Sequence, residues 1–241
     1  MEPLDVRDID ERPADPGEAG QSEARAGRLA FVAHEARNPL ATALWTSELL
    51  ARMSPEERAG PRGDKLAAMC LRSVARVRQI VEDHFLSERL DAGGYGIRLE
   101  PVALADVVGA VLERRPADAS PVTSTVDPAL AVMADRSLLE LAIEALVAVA
   151  GAEQTPVALG ARVAGGEVEL SIGGRSPDPA ALADPVKGAP SDPTGRALSL
   201  PLARRIAVTL RGALVARDGA WYLVLPAARE GAAKPGSPAA P

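Results

Sequence analysis

The chain has one cysteine, Cys70, so no internal disulfide can form, and the sequence reads as a protein of a reducing, cytoplasmic setting. No stretch approaches 18 uninterrupted apolar residues, and the first twenty residues, MEPLDVRDIDERPADPGEAG, are acidic with no apolar core. Neither a membrane-spanning helix nor a signal peptide is expected from such a pattern. Lysine and arginine form no cluster, and the formal charge is -6. A broad footprint on a phosphate backbone is therefore not expected, which argues against nucleic acid as the primary partner. Aromatic residues are scarce at 2%. No internal repeat is visible.

What remains is 241 residues that are 47% hydrophobic, enough for one large or two small domains with real cores. Residues 1–21 and 230–241 are rich in Pro, Gly and charged or small residues and read as a disordered lead-in and tail. Between residues 22 and 53, Leu29, Ala33, Ala36, Leu40, Ala43, Leu44 and Leu50 recur at helical spacing. Between residues 64 and 91, Leu66, Cys70, Val74, Val77, Val81 and Leu86 do the same. The short SPEERAGPRG between them predicts an antiparallel helical hairpin over residues 22–91. A lone hairpin buries its apolar stripe poorly, so a second copy is expected to complete a four-helix bundle, making the protein a homodimer.

From residue 92 the period changes. IRLEPVAL, a helix DVVGAVLERR, a strand-like TSTVD, a helix ADRSLLELAIEALVAVA and the alternating PVALGARV and EVELSIGG follow. A helix near residues 197–211 and the strands GALVAR and WYLVLP complete an α+β sandwich over residues 92–229, a mixed sheet with helices on one face.

Within the first helix stands FVAHEARNPLATAL, residues 31–44, where polar residues and Pro39 interrupt an apolar run. An interior proline costs a helix about 3 kcal/mol. The run His34-Glu35-Ala36-Arg37-Asn38-Pro39-Leu40, on a hairpin followed by a D-R-x-L-L helix and a G-x-x-L-x-L helix, resembles the core of a bacterial sensor histidine kinase over roughly residues 22–228. The resemblance implies a dimerisation and histidine-phosphotransfer hairpin, with His34 as phosphoacceptor, followed by an ATP-binding-type domain. It also implies a response-regulator receiver domain as partner, with an upstream kinase as a further one. The residues themselves suit that chemistry. A neutral imidazole is nucleophilic near neutral pH, and the adjacent Glu35 carboxylate can accept the proton of its second nitrogen. Helical spacing lets His34, Glu35 and Asn38 converge at one surface spot. The family pattern gives Asn38 the role of orienting water against a receiver's phosphoaspartate. Pro39 is expected to bend the helix and expose that spot. The second histidine, His84, carries no motif and reads as a bundle-packing residue.

The nucleotide half departs from the family where its chemistry lies. The resemblance implies two asparagines on the helix after D-R, the second holding magnesium, a cation that needs oxygen ligands. Ala145 and Val149 stand there. An adenine-recognising aspartate is implied in a D-x-G-x-G box, but the chain has Gly174-Arg175-Ser176-Pro177-Asp178. Of a G-x-G-L-G-L phosphate loop at a helix N-terminus it keeps Gly195, with Ala197 and Ser199 in place of the other glycines. The loop DPAALADPVKGAPSDPT reads as a shortened remnant of the family's ATP lid. No metal site and no cofactor are expected, and ATP with magnesium would return only if the chain were an active, divergent histidine kinase. The leading expectation is a phosphorelay protein passing a phosphoryl group between His34 and a receiver aspartate. The alternatives are that divergent kinase, or a non-enzymatic scaffold binding a kinase or a regulator.

Overall fold

Two long helices, α1 (Pro16–Arg52) and α3 (Pro61–Asp91), lie antiparallel and pack along each other. The structure, a computed structural model, describes residues 16–183 and 198–228, with α1 side chains from Arg25 onward. The turn between the helices is set by local chemistry. The Ser54 hydroxyl accepts from the Glu57 amide while the Glu57 carboxylate accepts from the Ser54 amide, a capping box that starts the one-turn helix α2 (Pro55–Arg58). Pro61 then opens α3 at its first helical position, where no backbone N–H is needed. Gly63 is required by packing, because a Cβ there would sit 2.0 Å from the Arg58 carbonyl oxygen.

One expectation from sequence is corrected by the structure. The lead-in expected to be disordered through residue 21 is helical from Pro16, so α1 begins with a proline at a position that favours it. Pro39, expected to bend the first helix, lies inside α1, which continues through it as one element. Residues 1–15 and the tail from residue 229 lie outside the described residues.

The second half is an α+β sandwich. In chain order it contains β1 (Glu100–Ala103), α4 (Leu104–Glu113), β2 (Val122–Ser124), β3 (Ala131–Ala134), α5 (Arg136–Ala150), β4 (Val157–Ala164), β5 (Glu167–Gly173), α6 (Ser199–Thr209), β6 (Ala213–Arg217) and β7 (Ala220–Pro226). The main sheet has the order β2-β4-β5-β7-β6, parallel only at β2/β4, and β1 pairs β3 in a separate antiparallel ribbon. Strand β3 has no counterpart in the sequence reading, which passes from TSTVD directly to α5. The tight hairpins were legible: Gly165-Gly166 and Asp218-Gly219 all take positive φ, as two-residue turns between twisted strands require.

Alternation puts one face of the sheet into the core. Trp221, Leu223 and Leu225 of β7 are buried, and Leu159 faces Ile172 while Leu170 faces Leu223 across the ladders. Against them pack Leu138, Leu139, Ile143 and Leu146 of α5 and Ile206 of α6. Helix α5 is started by Asp135, whose carboxylate accepts from the amides of Ser137, Leu138 and Arg98.

The hairpin is docked on this sandwich through α3 and α6. Phe31 and Val32 of α1 and Ile80 of α3 form a small buried cluster with Leu198, the residue before α6. Asp91 pairs with Arg205 at 2.9 Å, and the buried Arg28 reaches Glu88 at 2.6 Å and Asp91 at 2.9 Å.

Candidate phosphotransfer site and the cleft beside it

His34 lies in the middle of α1 with its side chain exposed, one turn beyond the buried Phe31 and Val32. Asn38, four residues on and so on the same face, is exposed, as is Arg37. Glu35 differs from the spot drawn from helical spacing. It is only 4% exposed and turns toward α3, where Arg76 Nη2 lies 3.5 Å from its Oε2. Its Oε1 is buried with no hydrogen-bond partner among the described residues. The physical reason is countercharge: a carboxylate buried between helices needs a cation, and α3 presents one at that level. His84 lies on α3 beside Phe85, its Nδ1 buried and without a hydrogen-bond partner among the described residues. Burial, with Arg28 and Arg25 near, holds its imidazole below the usual range, against the opposing pull of Glu88.

Between α3, α5 and α6 opens a cleft of about 760 Å³, whose walls include Arg72, Arg76, Asp83, Glu144, Ala145 and Ser199. Asp83 is the polar group at the joint. Its carboxylate accepts from Gln79 Nε2 at 2.7 Å and from the Ser199 hydroxyl at 3.3 Å, across the two halves of the chain. Burial is the main cause that raises its pKa to about 6, Glu82 and Glu144 add to the rise, and the two hydrogen bonds oppose it.

The positions singled out for nucleotide chemistry have other occupations. Ala145 and Val149 are partly buried against the sandwich core, and neither offers an oxygen. Gly174 has a backbone reason: a Cβ there would stand 2.6 Å from the Ala150 carbonyl oxygen, and the next amide, Arg175, donates to that same oxygen at 2.8 Å. No side chain, an adenine-recognising carboxylate included, fits position 174 without moving the end of α5. Ser199, the first residue of α6, is engaged by Asp83 of the hairpin. Gly195, Ala197 and most of the lid remnant lie outside the described residues, apart from a single 3₁₀ turn at Pro179–Leu182. Among the described residues, Ala145 and Val149 offer no oxygen to a cation and Gly174 offers no carboxylate to an adenine. No group of three or more His, Cys, Asp or Glu side chains among the described residues is arranged to hold a metal ion. No described helix is long and apolar enough to cross a membrane.

Solved structures share the fold. The histidine kinase AdeS of Acinetobacter baumannii superposes with a TM-score of 0.60 over 80% of this chain and 97% of its own, at 18% identity. The chain has the fold of a sensor histidine kinase core. The full-length structure of ShkA in complex with AMPPNP matches with a TM-score of 0.56 and 22% identity, over 83% of this chain and 45% of that one. No family model matches the chain, and no curated protein does. At such identities the likeness concerns the fold, so function rests on the residues.

Sequence reasoning missed Arg76, Asp83 and the docking residues Arg28, Asp91 and Arg205. Each acts across a long sequence separation, and no local spacing announces such a pair. The one available signal was a polar residue on the inner face of a predicted helix.

Proposed function

We propose that the protein is a two-component phosphorelay component that passes a phosphoryl group between His34 and a receiver-domain aspartate and does not phosphorylate itself from ATP. The observation that carries this reading is a contrast between the two halves. The H-box histidine is exposed at mid-helix on a histidine kinase fold, while positions 145, 149 and 174 carry no nucleotide-binding groups and the last has no room for one. In the forward step a lone pair of the His34 ring attacks the phosphorus of the receiver's aspartyl phosphate. The new N–P bond forms as the P–O bond to the aspartate breaks, and the carboxylate leaves with the electron pair. Glu35 takes or holds the proton of the second ring nitrogen, and Asn38 orients water when the aspartyl phosphate is hydrolysed instead.

The reading includes a homodimer. Leu40, Leu44, Trp45, Leu71, Val74 and Phe85 of the hairpin are all more than half exposed in the single chain, among them residues expected to line the inner stripe. A second hairpin would cover such a surface. With its lone free cysteine the protein suits a reducing, cytoplasmic compartment.

The test is exchange with a phosphorylated receiver domain. His34→Ala abolishes it, and Glu35→Ala slows it by roughly 10² to 10⁴, the usual range for lost acid–base help. Asn38→Ala leaves transfer intact and reduces hydrolysis. A folded His34→Ala protein that exchanges phosphate at the wild-type rate would replace this reading with the scaffold.

A further inference from the structure

The Glu35–Arg76 pair carries a consequence for the chemistry, one that rests on the phosphotransfer reading. Glu35 is buried between α1 and α3, next in sequence to the exposed His34. Of its two carboxylate oxygens, Oε2 faces Arg76 Nη2 at 3.5 Å and Oε1 has no donor among the described residues. A buried acceptor left without a partner is unfavourable, and a fold keeps one where a donor arrives in another state. The second ring N–H of His34, the residue before Glu35 on α1, becomes a stronger donor when its other nitrogen bonds to phosphorus, because the ring then carries positive charge. We infer that Arg76 is a positioning residue: by engaging Oε2 from the facing helix it fixes the Glu35 carboxylate so that Oε1 is the oxygen left for the His34 ring. Arg76 acts through Glu35 and touches neither the phosphoryl group nor the receiver.

The neighbouring cation provides a control. Arg72 lies one turn earlier on α3 and lines the same cleft, and it makes no ion pair among the described residues. The mechanism therefore requires Arg76 and not merely positive charge on that side of the hairpin.

The experiment uses the full chain and a ³²P-labelled receiver domain, selected from a panel as one with which the wild-type chain exchanges label. Arg76→Met is expected to lower the exchange rate at saturating receiver by roughly tenfold or more, with the half-saturating receiver concentration unchanged. Arg76→Lys recovers most of the rate, and Arg72→Met leaves it at the wild-type value. Because Arg76 works through Glu35, the double variant Glu35→Ala/Arg76→Met exchanges no more slowly than Glu35→Ala alone. The double variant also removes the buried carboxylate together with its half-buried countercharge, so it answers the question if Arg76→Met by itself does not fold. Wild-type exchange by folded Arg76→Met, or losses in the double variant that multiply, would overturn the role of Arg76. If His34→Ala in the same assay is inactive, such a result leaves the phosphotransfer reading standing. If His34→Ala exchanges normally, both fall.

Discussion

Replacing Asp83 by asparagine at the joint between hairpin and sandwich should stabilise the protein near neutral pH. The Asp83 carboxyl has a pKa raised from 3.8 to about 6, chiefly by burial. The folded chain therefore holds this proton more tightly than the unfolded chain, so stability falls as pH rises from about 4 to about 6 and stays lower above that. Two pKa units correspond to about 3 kcal/mol, the upper limit of the penalty for keeping the carboxylate ionised in the cleft. Asparagine has the same shape: its carbonyl oxygen can accept from Gln79 Nε2, and its amide can donate to the Ser199 hydroxyl. At about pH 7.5 Asp83→Asn should thus melt higher, by at most roughly 6 to 12 °C if the chain unfolds as one unit. The gain should shrink through about pH 5.5 and vanish near pH 4, where the wild-type carboxyl is protonated as well. Melts of the two proteins side by side, followed by circular dichroism, cancel the other titrating groups. An Asp83→Asn protein that is equal to or less stable than wild type at neutral pH would refute the reasoning, since it would mean that cations lining the cleft, such as Arg76, already compensate the ionised carboxylate.

Other consequences can be read directly. Gly174→Ala should destabilise the sandwich by about 1–3 kcal/mol, because the new Cβ meets the Ala150 carbonyl oxygen at 2.6 Å; an unchanged melting temperature would show that the α5 terminus yields freely. ATP with magnesium at millimolar concentration should leave the melting temperature unmoved, since a ligand that binds only the native state stabilises it by RT ln(1 + [L]/Kd); a saturable rise would favour the divergent kinase. Leu44→Glu, on a side chain 64% exposed in the single chain, should convert the proposed dimer to a monomer by light scattering, whereas a persistent dimer would place the interface elsewhere.

The parts of this fold that sequence reveals are those whose cause is local. The hairpin follows from helical periodicity and from the Ser54 and Pro61 punctuation, and β4 to β7 follow from alternation and their glycine turns. Strand β3 was hidden because Ala131–Ala134 is four apolar residues in a row with no polar alternation, and it exists through pairing with β1. The first turn of α1 was hidden because residues 16–21 have no apolar periodicity to follow. At the site, the motif located His34 and Asn38 on one exposed face, but the inward turn of Glu35 depends on a cation 41 positions away on the facing helix. The Asp83–Ser199 contact spans 116 positions, so it too became visible only in the folded chain.

The central claim is that phosphate reaches His34 from a receiver and not from ATP. The most direct measurement incubates the full chain separately with γ-³²P-labelled ATP plus magnesium and with a ³²P-phosphorylated receiver domain, then tests retained label for the acid lability and base stability of phosphohistidine. The account predicts such label on the wild-type chain from the receiver alone, and none on His34→Ala from either donor. Label from ATP that is present on the wild-type chain and lost in His34→Ala would contradict it.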